Sequence, residues 1–263
     1  IDITCNNSVT LNVKGNFFIK TDNGELGLFS ENDIISIDSI NSKLYLNSRA
    51  SSYFDNNNEI KENSISQEGG NTCIRFYSNS DYNLIQKNEI SYCFSGVNLY
   101  SSSNNTIKEN EIHSMEYSGV SLEPDSDYNE IINTTLFSNG EGIRLGTNTG
   151  NFVINNTLKE NSDYGIWSQG NSESLIYNNL FNNSDNVFFD SGMYTVYANK
   201  WNNSVIGNYW TNPSGTGFSD NCDDLDNDTI CDSSYDVEND ATGCSSNNCD
   251  YLPQSTIISQ SEN

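Results

Sequence analysis

Two stretches decide the fold: Asn83-Leu-Ile85-Gln-Lys-Asn88-Glu-Ile90, which leads to Gly96-Val97-Asn-Leu99, and Asn105-Thr-Ile107-Lys-Glu-Asn110-Glu-Ile112, which leads to Gly119-Val120-Ser-Leu122. The shared pattern is N-x-I-x-x-N-x-I, a loop, then G-V-x-L. A third copy starts at Asn129 (Ile131, Thr134, Leu136, Gly142, Ile143, Leu145) and a fourth at Asn151 (Val153, Asn156, Leu158, Gly165, Ile166). Weaker copies begin at Asn58 and Ser174. Within each copy apolar residues alternate over three or four positions before Asn, Ser, Asp and Gly intervene, so the unit is short strands joined by turns. A unit of this length cannot bury its own apolar face, and stacked copies close a continuous core. The chain is therefore expected to be an all-β solenoid, a three-stranded parallel β-helix on the order of 40 Å long at about 4.8 Å per coil.

Asn63, Asn88, Asn110, Asn156 and Asn179 share one phase of the repeat, with Thr134 in the odd copy. Aligned amides can hydrogen-bond from coil to coil, and the same residues are expected to occupy the bend, where Asn tolerates left-handed geometry.

Working outward, residues 58–200 form the regular repeats. Residues 1–57 repeat less well, although Val9, Leu11 and Val13 alternate, as do Leu44 and Leu46; they are read as irregular first coils and a cap. Residues 1–13, carrying Cys5, cap the chain's own β-helix or dock on a neighbour, since a parallel β-helix has a raw strand edge at each end. Residues 201–254 form an acidic cap, and 255–263 a tail. The chain starts at Ile1 with no Met or signal-like apolar stretch, as expected of a processed chain or an excised fragment.

Composition narrows the function. The 263 residues hold 36 Asp plus Glu against 11 Lys plus Arg, a net charge of -25 that argues against nucleic acid or an anionic membrane surface as partner. No run of about 18 apolar residues is present to insert in a membrane. Fifteen Tyr, 12 Phe and 3 Trp supply core mass that a disordered chain lacks.

The seven Cys suit disulfides better than zinc. Cys222 with Cys231 and Cys244 with Cys249 are the economical local pairs, Cys73 with Cys93 is a third, and Cys5 is left as a buried thiol or half of an intermolecular bond. Asn-x-Ser/Thr sequons at Asn6, Asn104, Asn133, Asn155, Asn182, Asn202 and Asn227 fit a secreted glycoprotein. Location is expected to be extracellular or at the cell surface.

The densest chemical signal is Asp224, Asp226, Asp228 and Asp232, carboxylates at alternate positions in one loop. They offer Ca²⁺ its hard oxygen ligands, Mg²⁺ fitting less well, and the Cys222–Cys231 pair would close the loop. The competing reading is a solvated acidic turn with no ion. The repeat resembles the right-handed parallel β-helix family with short Asn/Ile repeats, NosD-like periplasmic accessory proteins and sugar-binding or sugar-hydrolysing surface proteins among them, over roughly residues 58–253. In such relatives the acidic segment is similar to D-x-D-x-D-G-I-G-D-x-x-Y followed by D-x-x-P, matched by Asp224, Asp226, Asp228, Ile230, Asp232, Tyr235, Asp250 and Pro253. The resemblance thus implies a right-handed solenoid and a structural Ca²⁺ held by Asp224, Asp226, Asp228, Ile230 and Asp232. Thr229 and Cys231 replace its glycines, so a positive φ at either would be strained.

Catalytic signals are sparse. Polysaccharide lyases need an Arg or Lys base beside bound calcium, and hydrolases need two carboxylates about 5 to 9.5 Å apart. Arg49, Arg75 and Arg144 are the only Arg, with no evident acidic partner column; Glu123, Asp125 and Asp127 read as a solvated turn; His113, the only His, faces out. Two outward columns turn apolar late: Arg144, Trp167, Phe188 and Ile132, Ile154, Tyr177. Such columns contact the chain's own carboxy-terminal segment, a neighbouring subunit or a glycan. The expected function is a non-enzymatic surface structural protein, self-assembling with like subunits or surface polymers as a layer, filament or adhesive component. The alternative is a carbohydrate-binding or polysaccharide-cleaving β-helix.

Overall fold

The computed structural model describes residues 59–66, 72–170, 173–191 and 198–255, and the backbone of strands at 17–21, 26–28, 36–38, 43–48 and 52–54. Three parallel sheets run side by side, as the repeat requires. One coil shows the plan: Leu84–Gln86 lies in the third sheet, Glu89–Ser91 in the first and Val97–Tyr100 in the second; Thr106–Lys108 then lies back on Leu84–Gln86. Among the described residues the first sheet has nine strands, the second eight and the third seven. Nine strands at about 4.8 Å make a rod of about 38 Å. The less regular sequence before residue 58 continues the same sheets, with Phe17–Thr21 pairing Lys43–Ser48 and that strand pairing Ser64–Ser66.

Register follows the repeat. Ile85, Ile107, Ile131, Val153 and Ile176 are successive partners, as are Ile90, Ile112, Leu136, Leu158 and Phe181, and all are fully buried. Alternation puts one residue inward and its neighbours outward, so a three-residue strand lends one side chain to the core. At the end of the rod that core closes on aromatic mass: Phe181 stacks on Trp210 at 4.4 Å, and Trp210 lies 5.8 Å from Trp201.

The amide ladder is present and has a direction. Asn63 Nδ2 donates to Asn88 Oδ1 at 3.1 Å, Asn88 Nδ2 to Asn110 Oδ1 at 3.0 Å, Asn156 Nδ2 to Asn179 Oδ1 at 3.0 Å and Asn179 Nδ2 to Asn208 Oδ1 at 2.9 Å. Thr134 fills the odd coil by accepting from Asn110 N–H and donating its own N–H to Asn156 Oδ1. The first Asn of each repeat builds a second ladder through Asn83, Asn105, Asn129 and Asn151, and a third joins Asn139, Asn161 and Asn183. In all three the amide-to-amide bonds run toward the carboxy-terminal end, while Nδ2 of several members also reaches back to a carbonyl of the preceding coil.

One expectation is corrected. The ladder Asn does not take the left-handed conformation; the residue before it does, at Glu62, Lys87, Glu109, Asn133, Asn155 and Asn178, with φ between 50° and 58°. The reason is that the ladder amide is fixed by its own backbone N–H and side-chain bonds, so the sharp reversal falls on its exposed or half-exposed predecessor. The repeat Gly has a different task. A Cβ on Gly119 would stand 2.7 Å from the Gly142 carbonyl, and one on Gly142 would stand 2.6 Å from that of Gly165.

Asn110→Ala is expected to cost about 3 kcal/mol, because it strands buried donors of Asn88 and the Ile85 carbonyl. Gly119→Ala is expected to cost about 1 to 3 kcal/mol through overpacking. Lys87→Gly, which relieves a left-handed non-glycine, is expected to leave stability unchanged or slightly raised. Urea melts of the three variants check all of these.

Candidate functional site

Beyond the last coil the chain builds a cap from the helix Phe218–Asn221 and a small antiparallel sheet in the order Ala241–Thr242, Tyr235–Asp236, Cys249–Asp250. The disulfides Cys222–Cys231 and Cys244–Cys249 close its two loops, and Cys73–Cys93 ties a coil of the rod. Cys5 lies outside the described residues. Buried Asp236 accepts from the N–H and hydroxyl groups of Ser245 and Ser246 and from Asn239. Those donors outweigh burial and hold its carboxyl well below the usual range.

Two of the ladders end on the cap and the third on the last strand of the rod. Asn208, last of the first ladder, donates its N–H to Asp250 Oδ2 at 2.7 Å, and Trp210 Nε1 joins at 2.9 Å. In the second phase Ser174 N–H donates to Asn199, Asn199 N–H to Asn248 Oδ1, and Asn248 Nδ2 to Glu238 Oε2 at 3.1 Å. Asn186 ends the third ladder by donating to the Thr211 carbonyl at 2.8 Å. The ladders therefore finish on acceptor oxygens of Asp250, Glu238 and Thr211.

Within the acidic loop, Asp224, Asp226 and Asp228 each offer a carboxylate oxygen, all within 4.8 Å of one another. Backbone N–H groups hold them there: Asp228 N–H reaches Asp224 Oδ1 at 3.1 Å, Thr229 N–H reaches Asp224 Oδ2 at 3.1 Å, and Ile230 N–H reaches Asp228 Oδ1 at 2.8 Å. The Ser255 hydroxyl, at 2.6 Å, adds to the donors that hold Asp224 below the ordinary carboxylate range. Asp232 stands apart from this trio and accepts from Leu225 N–H at 3.0 Å, while Ile230 pairs with Gln254. Of the two glycine replacements, Thr229 does adopt positive φ, 76°, whereas Cys231 does not.

On the outer face the columns run in register, Ser121, Arg144, Trp167, Phe188 and Lys108, Ile132, Ile154, Tyr177. Arg144 does have acidic partners, contrary to the sequence expectation. Its Nη1 lies 2.8 Å from Glu141 Oε1 and its Nε 3.8 Å from Glu123 Oε1. Alternation does not reveal the pair, because Glu141 lies three residues before Arg144 on the same strand. The Arg144 guanidinium lies over the Trp167 ring at 3.3 Å and beside that of Tyr117 at 5.1 Å. Trp167 is thereby only 6% exposed and its face is taken, while Phe188, stacked with Tyr164 at 4.7 Å, is 39% exposed. Burial raises the Glu141 carboxyl above its ordinary value against the pull of Arg144.

Asp127 Oδ1 accepts from Thr149 N–H at 2.7 Å, Asp125 has a φ of 60°, and Glu123 takes the Ser121 hydroxyl, so that acidic group is a hydrogen-bonded turn. His113 stacks on Phe137 at 4.8 Å with Nδ1 against the Ser114 hydroxyl. Sequons Asn104, Asn133 and Asn227 are exposed, and Asn155, Asn182 and Asn202 half-buried; Asn6 lies outside the described residues.

The sequence matches, over residues 6–215, the family described as periplasmic copper-binding protein (NosD). A search of curated proteins finds no match. Solved structures similar to the chain include three of the catalytic domain of a GH87 alpha-1,3-glucanase in complex with nigerose, two of them aspartate-to-alanine variants. Each is 15% identical, with TM-scores of 0.46, 0.45 and 0.45, covering 71% of this chain and 39% of the glucanase chain. The chain spans well under half the length of those structures.

Asp250 makes the cap sensitive to pH. Burial pushes its carboxyl up to about 7, over the opposing pull of Asn208, Trp210 and Leu252. A folded value above the unfolded one favours the protonated fold. Its contribution is full below about pH 4 and lost as pH rises through about 7, on the order of 4 kcal/mol. Chemical denaturation between pH 4 and 8 is expected to show this decline, and Asp250→Asn is expected to flatten it.

Proposed function

This chain belongs to the NosD family, and we propose that it works outside the cytoplasm as a non-enzymatic structural protein of the cell surface, a rigid rod that assembles with like subunits. The observation that carries the reading is the set of amide ladders that run through the coils and end on the disulfide-closed cap. Each coil is bonded to the next inside the rod as well as along its sheets, which suits a load-bearing spacer. The family's periplasmic description and the sequons agree on a location beyond the cytoplasm in the coarse sense.

The family description includes copper, and the residues of this chain do not fit it. Copper is held by imidazole, thiolate and thioether groups. The sequence has one His and two Met. His113 is stacked with Phe137, Met115 lies in the core, Met193 is outside the described residues, and six of seven Cys are in disulfides. No pair of such ligands converges among the described residues, so the proposed role does without copper.

A hard cation suits the chain better. We assign the loop of Asp224, Asp226 and Asp228 to Ca²⁺, because three clustered carboxylates repel one another until a cation joins them. A glycan ligand is the second reading, favoured by the half-exposed Phe188 beside Tyr164.

Calcium at about a hundred times its dissociation constant is expected to stabilise the chain by about 2.7 kcal/mol, and EGTA to reverse this; a calorimetric scan that moves with neither ends the assignment. Particles seen by electron microscopy are expected to lengthen with protein concentration in calcium. Persistent single rods with strong binding on a glycan array would favour the second reading instead.

A further inference from the structure

At the carboxy-terminal end the three sheets are not closed alike. The first sheet continues into Tyr209–Thr211, and the third is continued by a bridge from Leu175 to Lys200. The second sheet stops at Val187–Phe189, which pairs on one side with Tyr164–Ser168 and, among the described residues, with no strand on the other. Its inward residues record the gap. Ile143, Leu145 and Ile166 of the preceding strands are fully buried, whereas Val187 and Phe189 are only half-buried, though they pack against the core.

A cleft of about 490 Å³ opens at this edge. Val187, Ala241 and Thr242 are among the residues that line it, and Phe218 and Tyr235 contribute apolar surface. Ala241–Thr242 is itself an outer strand of the cap sheet and is exposed. The cleft thus adjoins the start of the terminal strand and the outer strand of the cap sheet, beside an unfinished end of the core. Backbone groups along such edges bind an added strand, and alternate side-chain positions set which one.

We propose that this cleft is the joint of the assembly: the terminal strand Val187–Phe189 takes, as an added parallel or antiparallel strand, residues 8–13 of a second copy of the chain. The inference rests on the assembly reading above and names the surfaces that meet. Ser8-Val9-Thr10-Leu11-Asn12-Val13 alternates apolar and polar residues, as a strand covering a half-open core requires, and contains no Pro. It carries no charge, so the acidic residues Asp185, Asp223 and Asp240 lining the cleft do not repel it, and Lys14 follows it with the opposite sign. The segment precedes Phe17–Thr21, the first strand of the first sheet, at the end of the rod remote from Val187. The joint is therefore head to tail. Such heterologous contacts propagate into filaments.

The test uses the full chain, kept dilute, and a fluorescent peptide of residues 7–15. Fluorescence anisotropy is expected to show saturable binding, with no binding of a scrambled peptide. Alternate N–H groups of a strand point to opposite sides, so N-methyl groups at residues 9, 11 and 13 and at residues 8, 10 and 12 are expected to differ. One set weakens binding at least tenfold and the other leaves it within about threefold. The peptide is also expected to cap growing particles at substoichiometric-to-equal ratios. No binding, or binding indifferent to both N-methyl sets, overturns the joint. Particles that lengthen normally with the peptide in excess overturn it too, while leaving the assembly reading in place. Peptide binding of the expected pattern by a chain that never lengthens supports the edge and defeats the assembly reading.

Discussion

A buried amide must be satisfied at both its oxygen and its nitrogen, and a column of amides can do this only if each gives to the next in the same direction. That constraint organises this molecule. The bonds of Asn88 with Asn110 and of Asn156 with Asn179 fix the register between coils as firmly as the sheets do, because a slip of one residue would break every member. Such a column cannot simply stop. Its last donor needs an acceptor, and Asp250, Glu238 and the Thr211 carbonyl supply one in each of three places. The cap therefore completes a hydrogen-bond pattern begun far up the rod, besides covering its aromatic end.

The turns show what the ladders cost. Left-handed conformations at Lys87, Glu109 and Glu160 are unfavourable for residues with a Cβ, by about 1 to 2 kcal/mol each. They recur because the sharp bend must fall beside an amide already committed to its neighbours. The same crowding acts from the inside at Gly119 and Gly142, where a carbonyl of the next coil occupies the space of a side chain. Strain in the turns and small residues at the corners both follow from stacking coils at a fixed pitch.

Much of this was legible. Ile85, Ile107 and Ile131 announce the coil, and Asn88, Asn110 and Asn156 the ladder, because repetition makes a weak local signal strong. The three disulfides followed from spacing within an acidic, His-poor chain. The bend residues were misplaced because Asn tolerates left-handed geometry and the amide column was credited with both tasks. The third ladder went unread although Asn139, Asn161 and Asn183 recur every 22 residues, since the loop sequences around them vary. Glu141 and Arg144 were not paired, because contact along one strand at three residues' distance depends on where the Trp167 ring lets the guanidinium lie. Asp250 read as part of a cation motif, and its ladder role needed the path of the chain in space.

The uneven distribution of charge has a structural origin on these grounds. Between Asp220 and Asp250 the sequence has no Lys or Arg. The end of the rod that this segment covers is the end toward which the amide-to-amide bonds of every ladder run, so the last member of each needs an acceptor there. Carboxylates complement that end, and Asp250 and Glu238 are spent on it. Asp224, Asp226 and Asp228 belong to the same acidic stretch but touch no ladder, and their donors are backbone N–H groups of their own loop and the Ser255 hydroxyl. Carboxylates that the ladders do not use thus remain at this end of the rod, and they are the ones proposed above to take calcium.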